Sequence, residues 1–189
     1  MAISIRLPAV PTDEEIAELS RRNPGYRFER TARGELRVTP TGGEAGRRSA
    51  EVVAQLHGWN RARGLGVVCD SSAGFRLPDG SLLAPDASWV ELGRWEALDR
   101  KAREGFPPLC PDAVFEVASP SDLTEDLREK AATYIASGAR VAVLIDSETR
   151  SAEIYRPGRA LEKVTGSASL RLDPELPGLE LDLRPVFSP

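Results

Sequence analysis

The sequence predicts an α/β fold, a sheet covered by helices, and three stretches carry that expectation. Asp112 to Ala118 places Val114, Phe115 and Val117 on both sides of a strand, as in a strand covered on both faces. A helical segment follows from about Leu123 to Ser137, closed by Gly138, and Arg140 to Ile145 forms a second apolar strand. Strand, helix, strand is most simply a parallel crossover. The third stretch is a long helix from about Glu44 to Arg63, with Ser49, Val52, Val53, Leu56 and Trp59 along one side, a stripe that needs a partner surface.

The remaining elements follow in order. Residues 1 to 11 are punctuated by proline and extended. Thr12 and Glu15 form a capping box for a short helix that stops near Asn23-Pro24-Gly25. Tyr26 to Arg30 and Glu35 to Thr39 alternate about Ala32-Arg33-Gly34 and predict a hairpin. Extended runs at 67–71 and 74–77 lead to the turn Pro78-Asp79-Gly80-Ser81. A single strand is expected from Leu82 to Glu91, then a polar helix from Arg94 to Glu104. Ser119-Pro120-Ser121-Asp122 breaks the central strand and offers caps to the next helix. Strands at 151–156, 161–165 and 169–172 complete a sheet edge, and the tail from Leu176 to Phe187 packs as structure.

The 189 residues fit one domain, 1–189, with residues 1–40 as a helix-and-hairpin extension. No apolar run approaches the ~20 residues of a spanning helix, so no membrane role is expected. Two cysteines, Cys69 and Cys110, suit a reduced cytoplasmic setting. The single histidine, His57, excludes sites built on paired histidines and leaves Ser119 and Ser121 without a triad partner. A net charge of -4 argues against a broadly basic nucleic-acid clamp but leaves room for a local one.

Two carboxylates stand where core residues are expected: Asp86 in the 82–91 strand and Glu116 in the 112–118 strand. Acids forced together in a sheet need a proton or a divalent cation between them. Oxygen donors favour Mg²⁺ or Mn²⁺ over zinc. On the following helix, Leu123, Leu127, Ala131, Tyr134 and Ile135 form the core stripe at ~100° per residue, and Lys130 projects inside that arc. It is one of only three lysines against twenty-two arginines. Either its stem packs while its amine reaches water, or the ammonium joins the acids. An acidic pair with one ammonium suits phosphodiester hydrolysis, the lysine positioning water or stabilising developing charge. The alternative is two carboxylates at strand ends, satisfied by water. Glu51 is a weaker candidate on the flank of the long helix, and Arg47-Arg48 and Arg61 to Arg63 could touch phosphates.

Pro85-Asp86 followed by Glu116 in the next strand resembles the PD-(D/E)XK nuclease superfamily. The ordered stretches TPTGGEAGRR, FRLPDGSLLAPDASWV, FPPLCPDAVFEVASPSD, EKAATYIASGARVAVLID and AEIYRPG, with LPGLELDL near the end, resemble more specifically the Uma-type restriction endonuclease family, from residue 26 onward. The resemblance implies a restriction-endonuclease-like core, a central mixed β-sheet flanked by helices, with an extra N-terminal hairpin. It implies a Mg²⁺- or Mn²⁺-dependent endonuclease acting on DNA. Asp86 and Glu116 would hold the cation, the Val117 carbonyl would be a further ligand, and Lys130 would assist the attacking water. The superfamily lysine two residues after the glutamate is replaced by Ala118, with Lys130 as its migrated counterpart. Ala45 stands where many relatives carry histidine. Two other classes of function stay open: a cleavage-deficient module binding nucleic acid or protein, and an assembly role such as a homodimer with the acidic pair incidental.

Overall fold

The structure is a computed structural model, and it describes residues 3–118 and 124–188. The expected caps at 119–122, and Leu123, lie outside the described residues. In chain order the elements are β1 (Ile3–Ile5), α1 (Asp13–Arg22), β2 (Tyr26–Arg30), β3 (Leu36–Pro40), α2 (Gly43–Arg63), β4 (Gly66–Asp70), β5 (Phe75–Arg76), β6 (Leu82–Leu83) and β7 (Ala87–Glu91). Then come α3 (Leu92–Glu96), α4 (Arg100–Glu104), β8 (Ala113–Ala118), α5 (Thr124–Ala136), β9 (Val141–Asp146), β10 (Ser151–Tyr155), β11 (Glu162–Thr165), β12 (Ser169–Arg171), β13 (Glu180–Asp182) and α6 (Arg184–Phe187).

The core is a six-stranded sheet ordered β11-β10-β9-β8-β7-β4. Only β8 and β9 run parallel, so the sheet is mixed. Side-chain alternation along β8 settles which helix covers which face. Phe115 and Val117 pack with Val52, Leu56 and Trp59 of α2, whereas Val114 packs with Ala131 and Tyr134 of α5. Glu116, two residues beyond Val114, therefore lies on the face that α5 covers. The tail seals the α2 side, with Leu176, Leu179, Leu181, Leu183 and Val186 buried in the same cluster.

The N-terminal elements were legible. Thr12 Oγ1 accepts from the Glu15 amide at 3.2 Å and Glu15 Oε2 accepts from the Thr12 amide at 2.7 Å, the expected capping box. The hairpin β2–β3 belongs to a second, five-stranded sheet ordered β1-β3-β2-β6-β5. Gly138 ends the α5 segment at φ +106°, where a side chain would be strained.

Three expectations need correction. Leu82 to Glu91 is not one strand: β6 belongs to the five-stranded sheet and β7 to the six-stranded one, with Ala84-Pro85-Asp86 as the crossing between them. Pro85 has no N–H for a ladder, so pairing stops there and the chain changes sheets. The 94–104 helix is two short ones, because Asp99 caps α4 by accepting from the Ala102 amide at 2.7 Å. Of the three strands expected to complete an edge, β11 is an edge strand of the six-stranded sheet, β10 lies inside it, and β12 pairs with β13 in a separate ribbon.

The turn from α2 into β4 is tight. Trp89 Nε1 donates to Asn60 Oδ1 at 2.9 Å, and Asn60 Nδ2 donates to the Gly66 carbonyl at 2.7 Å. A Cβ on Gly66 would lie 2.3 Å from the Val90 carbonyl oxygen and 2.5 Å from the Trp89 ring. Both neighbours are fixed, so Gly66→Ala is expected to destabilise the fold by about 2 kcal/mol or more, read as a lower urea midpoint.

Candidate active site

Ala87 of β7 pairs with Phe115 of β8 in an antiparallel register. Continuing that register by one position sets Asp86 opposite Glu116. The sheet crossing at Pro85 thus delivers a carboxylate to the end of β7, against the glutamate of the neighbouring strand. Asp86 Oδ2 accepts from the Val117 amide at 2.8 Å, and Oδ1 pairs with Arg27 Nη2 at 2.8 Å. These contacts fix the carboxylate at the sheet junction.

Lys130 arrives from α5 on the same side. Its Nζ lies 2.8 Å from Glu116 Oε1 and 2.8 Å from Glu29 Oε1, and it donates to the Ala84 carbonyl at 2.9 Å. At 4% exposure the lysine does not reach water, which removes the snorkelling alternative. Asp86 and Glu116 are buried as well, so water at strand ends does not satisfy them.

Glu29 and Arg27 were missed in the sequence. They alternate along β2, and the register places Glu29 opposite Arg37 and Arg27 opposite Thr39. Directly opposed residues share a face, so one hairpin face carries Arg27, Glu29, Arg37 and Thr39 and lines the cavity beside Asp86 and Glu116. The signal was there, since every position on that face is polar. It reads equally well as the solvated side of a hairpin.

Charge balance defines the chemistry. Among the described residues, Glu29, Asp86 and Glu116 have Lys130 and Arg27 as their ion-pair partners, which leaves one of these three acids unmatched if all are ionised. Burial pushes the Glu116 carboxyl up to about 8; Lys130 opposes the shift, while Asp86 and Glu29 add to it. Burial also works against Glu29, but Lys130 and Arg27 outweigh it and hold that carboxyl below its ordinary value. Burial disfavours the Lys130 ammonium too, yet Glu116 and Glu29 raise its pKa, so it stays charged. The Glu116–Lys130 contact has ion-pair distance without hydrogen-bond alignment, so Glu116 Oε1 is buried without a hydrogen-bond partner.

Glu116 lines a cavity of about 130 Å³ together with Asp86 and Val117, room for an ion with a few waters. Two carboxylates, a buried oxygen without a hydrogen-bond donor and a surplus negative charge fit a hard divalent cation. Among the described residues no group of three or more His, Cys, Asp or Glu side chains is arranged to hold a metal. Glu29 is committed to Lys130 and to the Ala84 amide, from which Oε1 accepts at 2.8 Å. The cation donors would be Glu116, backbone oxygen and Asp86, whose oxygens also accept from Arg27 and the Val117 amide.

Other candidates fall outside the cavity lining. Glu51 and the exposed His57 are not part of it. Arg47 is held by Glu44 and by the Pro185 carbonyl, and Arg63 stacks over Trp59. Asp112 is buried at the opposite end of β8, paired with Arg94 at 2.8 Å and Arg140 at 3.0 Å. Ala45 does line the cavity, at the start of α2. Burial pushes the Cys69 thiol up to about 11 and the Cys110 thiol up to about 12, so neither is a nucleophile near neutral pH. Among the described residues no helix is long and apolar enough to cross a membrane.

A mixed sheet clasped by helices, with acids at the junction of neighbouring strands and a lysine beside them, defines a protein of the restriction-endonuclease-like class. The chain matches the Uma2 family, described as "Putative restriction endonuclease", over residues 13–184, and it belongs to that family. The match begins earlier than the resemblance read from residue 26. A crystal structure of a putative nuclease belonging to DUF820 from Anabaena variabilis shares the fold at a TM-score of 0.75. The two are 17% identical, and the alignment covers 94% of this chain and 97% of that one. The DrdV–DNA complex seen by cryo-electron microscopy aligns at a TM-score of 0.41 and 16% identity, over 65% of this chain and 10% of that one. No curated protein matches the chain.

Two outcomes are expected for the charge cluster. Lys130→Met leaves Glu29 and Glu116 buried without their ammonium and should cost about 3–5 kcal/mol in urea unfolding. Without added cation, folded Glu116 keeps its proton up to about pH 8, whereas an unfolded glutamate loses it near its ordinary value. The unfolded chain then binds fewer protons between those limits, so stability falls as pH rises through that window. Glu116→Gln should flatten this slope in pH-dependent melting curves.

Proposed function

We propose that this protein is a Mg²⁺- or Mn²⁺-dependent endonuclease that hydrolyses DNA phosphodiester bonds. The observation that carries the reading is the buried pair Asp86 and Glu116, one glutamate oxygen without a hydrogen-bond donor, beside a lysine that lines the same cavity. Asp86, Glu116 and the Val117 carbonyl would hold the cation. When bound, that ion supplies Lewis-acid polarisation of a phosphoryl oxygen and a more acidic water.

The protein's own groups do the positioning. Arg27 and the Val117 amide fix the Asp86 carboxylate, so its direction does not depend on the substrate. Glu29 and the Ala84 carbonyl hold Lys130 even if Glu116 turns to another partner. The ammonium then has a donor free beside Glu116, where it assists the attacking water and offsets negative charge developing at phosphorus. Glu116 must give up its proton to serve as a ligand, so ligand binding and deprotonation are linked.

A second reading is favoured by one contact: Arg27 already neutralises Asp86, as it would in a module that binds nucleic acid or protein without cutting. Plasmid nicking with Mg²⁺ or Mn²⁺ separates the two. Wild type is expected to nick, and Asp86→Asn to slow nicking at least ~10²-fold while retaining DNA binding. Nicking unaffected by Asp86→Asn, or a wild type that does not nick with either ion, refutes the enzymatic reading. Calorimetry should show Mn²⁺ affinity rising about tenfold per pH unit below pH 8, because one proton is displaced. Affinity independent of pH would remove Glu116 as a ligand.

A further inference from the structure

The same cavity is bordered by the beginning of α2, which no side chain caps. Its N-cap is Gly42, extended at φ −121° and ψ 148°, without a side-chain hydrogen bond. Gly46 donates to the Gly42 carbonyl at 2.9 Å as the first helical bond, leaving the amides of Gly43, Glu44 and Ala45 with no acceptor inside the helix. A Cβ on Gly42, Gly43 or Gly46 would meet nothing within 4 Å, so the approach is open. The Glu44 carboxylate does not fill the place, since Arg47 and Arg48 engage it.

Arg37 supplies an independent observation. It is 9% exposed and lines the cavity with Gly42 and Gly46, yet its Nε is buried without a hydrogen-bond partner. The Asp126 carboxylate lies 3.9 Å from its Nη2, beyond hydrogen-bond reach. Arg27 and Lys130 have committed partners, whereas this guanidinium, at the wall of the polar cavity, keeps one donor without an acceptor among the described residues. A buried donor left unmade is costly, and an anionic oxygen is the acceptor that would relieve it. Free helix amides and a planar guanidinium together match the oxygens of a phosphate.

We propose that Arg37 and the open end of α2 seat a phosphate of the nucleic-acid strand, next to the one presented to Asp86 and Glu116. This rests on the nucleic-acid reading above and adds to it a second, non-reacting contact that fixes the strand's register.

The test is the salt dependence of duplex binding by the full chain, measured by fluorescence anisotropy in EDTA. Three variants each change the charge by one: Arg37→Gln, Gly42→Asp and, as control, Arg100→Gln on the exposed surface. Arg37→Gln should weaken binding about tenfold or more and make the log–log salt slope shallower by about 0.9, one phosphate contact. Gly42→Asp caps the helix with its own carboxylate and should weaken binding similarly while keeping or raising the melting temperature. That result cannot come from misfolding. Arg100→Gln should bind as wild type does.

Wild-type affinity and slope in both Arg37→Gln and Gly42→Asp would overturn the seat, as would equal losses in Arg100→Gln or a wild type that does not bind duplex. Nicking run in parallel keeps the two readings apart. Nicking with unaltered binding in the variants removes the seat alone, whereas the expected binding losses without nicking remove the enzyme alone.

Discussion

A single buried ammonium holds the candidate site together. Lys130 sits among two carboxylates and a carbonyl, out of water, where charge left unmatched would cost several kcal/mol. Its presence permits Glu29 to stay ionised in the interior, but it cannot neutralise Glu116 as well. The remaining acid keeps a proton to about pH 8. On the proposed reading that proton would be exchanged for a cation, with the carboxylate already in place and its counter-charge shared with Glu29.

The architecture produces this arrangement through one proline. Pairing halts at Pro85, and the chain passes from the five-stranded sheet to the six-stranded one. Asp86 then lands opposite Glu116, and the Ala84 carbonyl turns to Lys130. The hairpin face carrying Arg27 and Glu29 closes the cavity from the other sheet. Contributions therefore come from both sheets and from α5, and none of these elements could form the cluster alone.

Much of the fold could be read in the chain. Both faces of β8 are apolar except at Glu116, the helical stripe of α5 contains Lys130, and both departures pointed to the same cavity. Turn chemistry placed the N-terminal helix and hairpin closely. What stayed hidden depended on how sheets meet. Nothing local told that Leu82 to Glu91 would split between two sheets, although Pro85 marked where a ladder must break. Arg27 and Glu29 were hidden for a related reason: a polar hairpin face looks the same whether it meets water or another sheet. Distances between segments far apart in sequence, such as Glu29 and Lys130, are decided by tertiary packing, which periodicity does not report.

The central claim is that Asp86 and Glu116 form one cation site whose balance Lys130 maintains. Anomalous diffraction from a crystal soaked in millimolar Mn²⁺ at pH above 8 tests it most directly. The account predicts a peak between the Asp86 and Glu116 oxygens at about 2.0–2.3 Å, with Lys130 still on Glu29. A cavity without that peak, Glu116 still against Lys130, would contradict it.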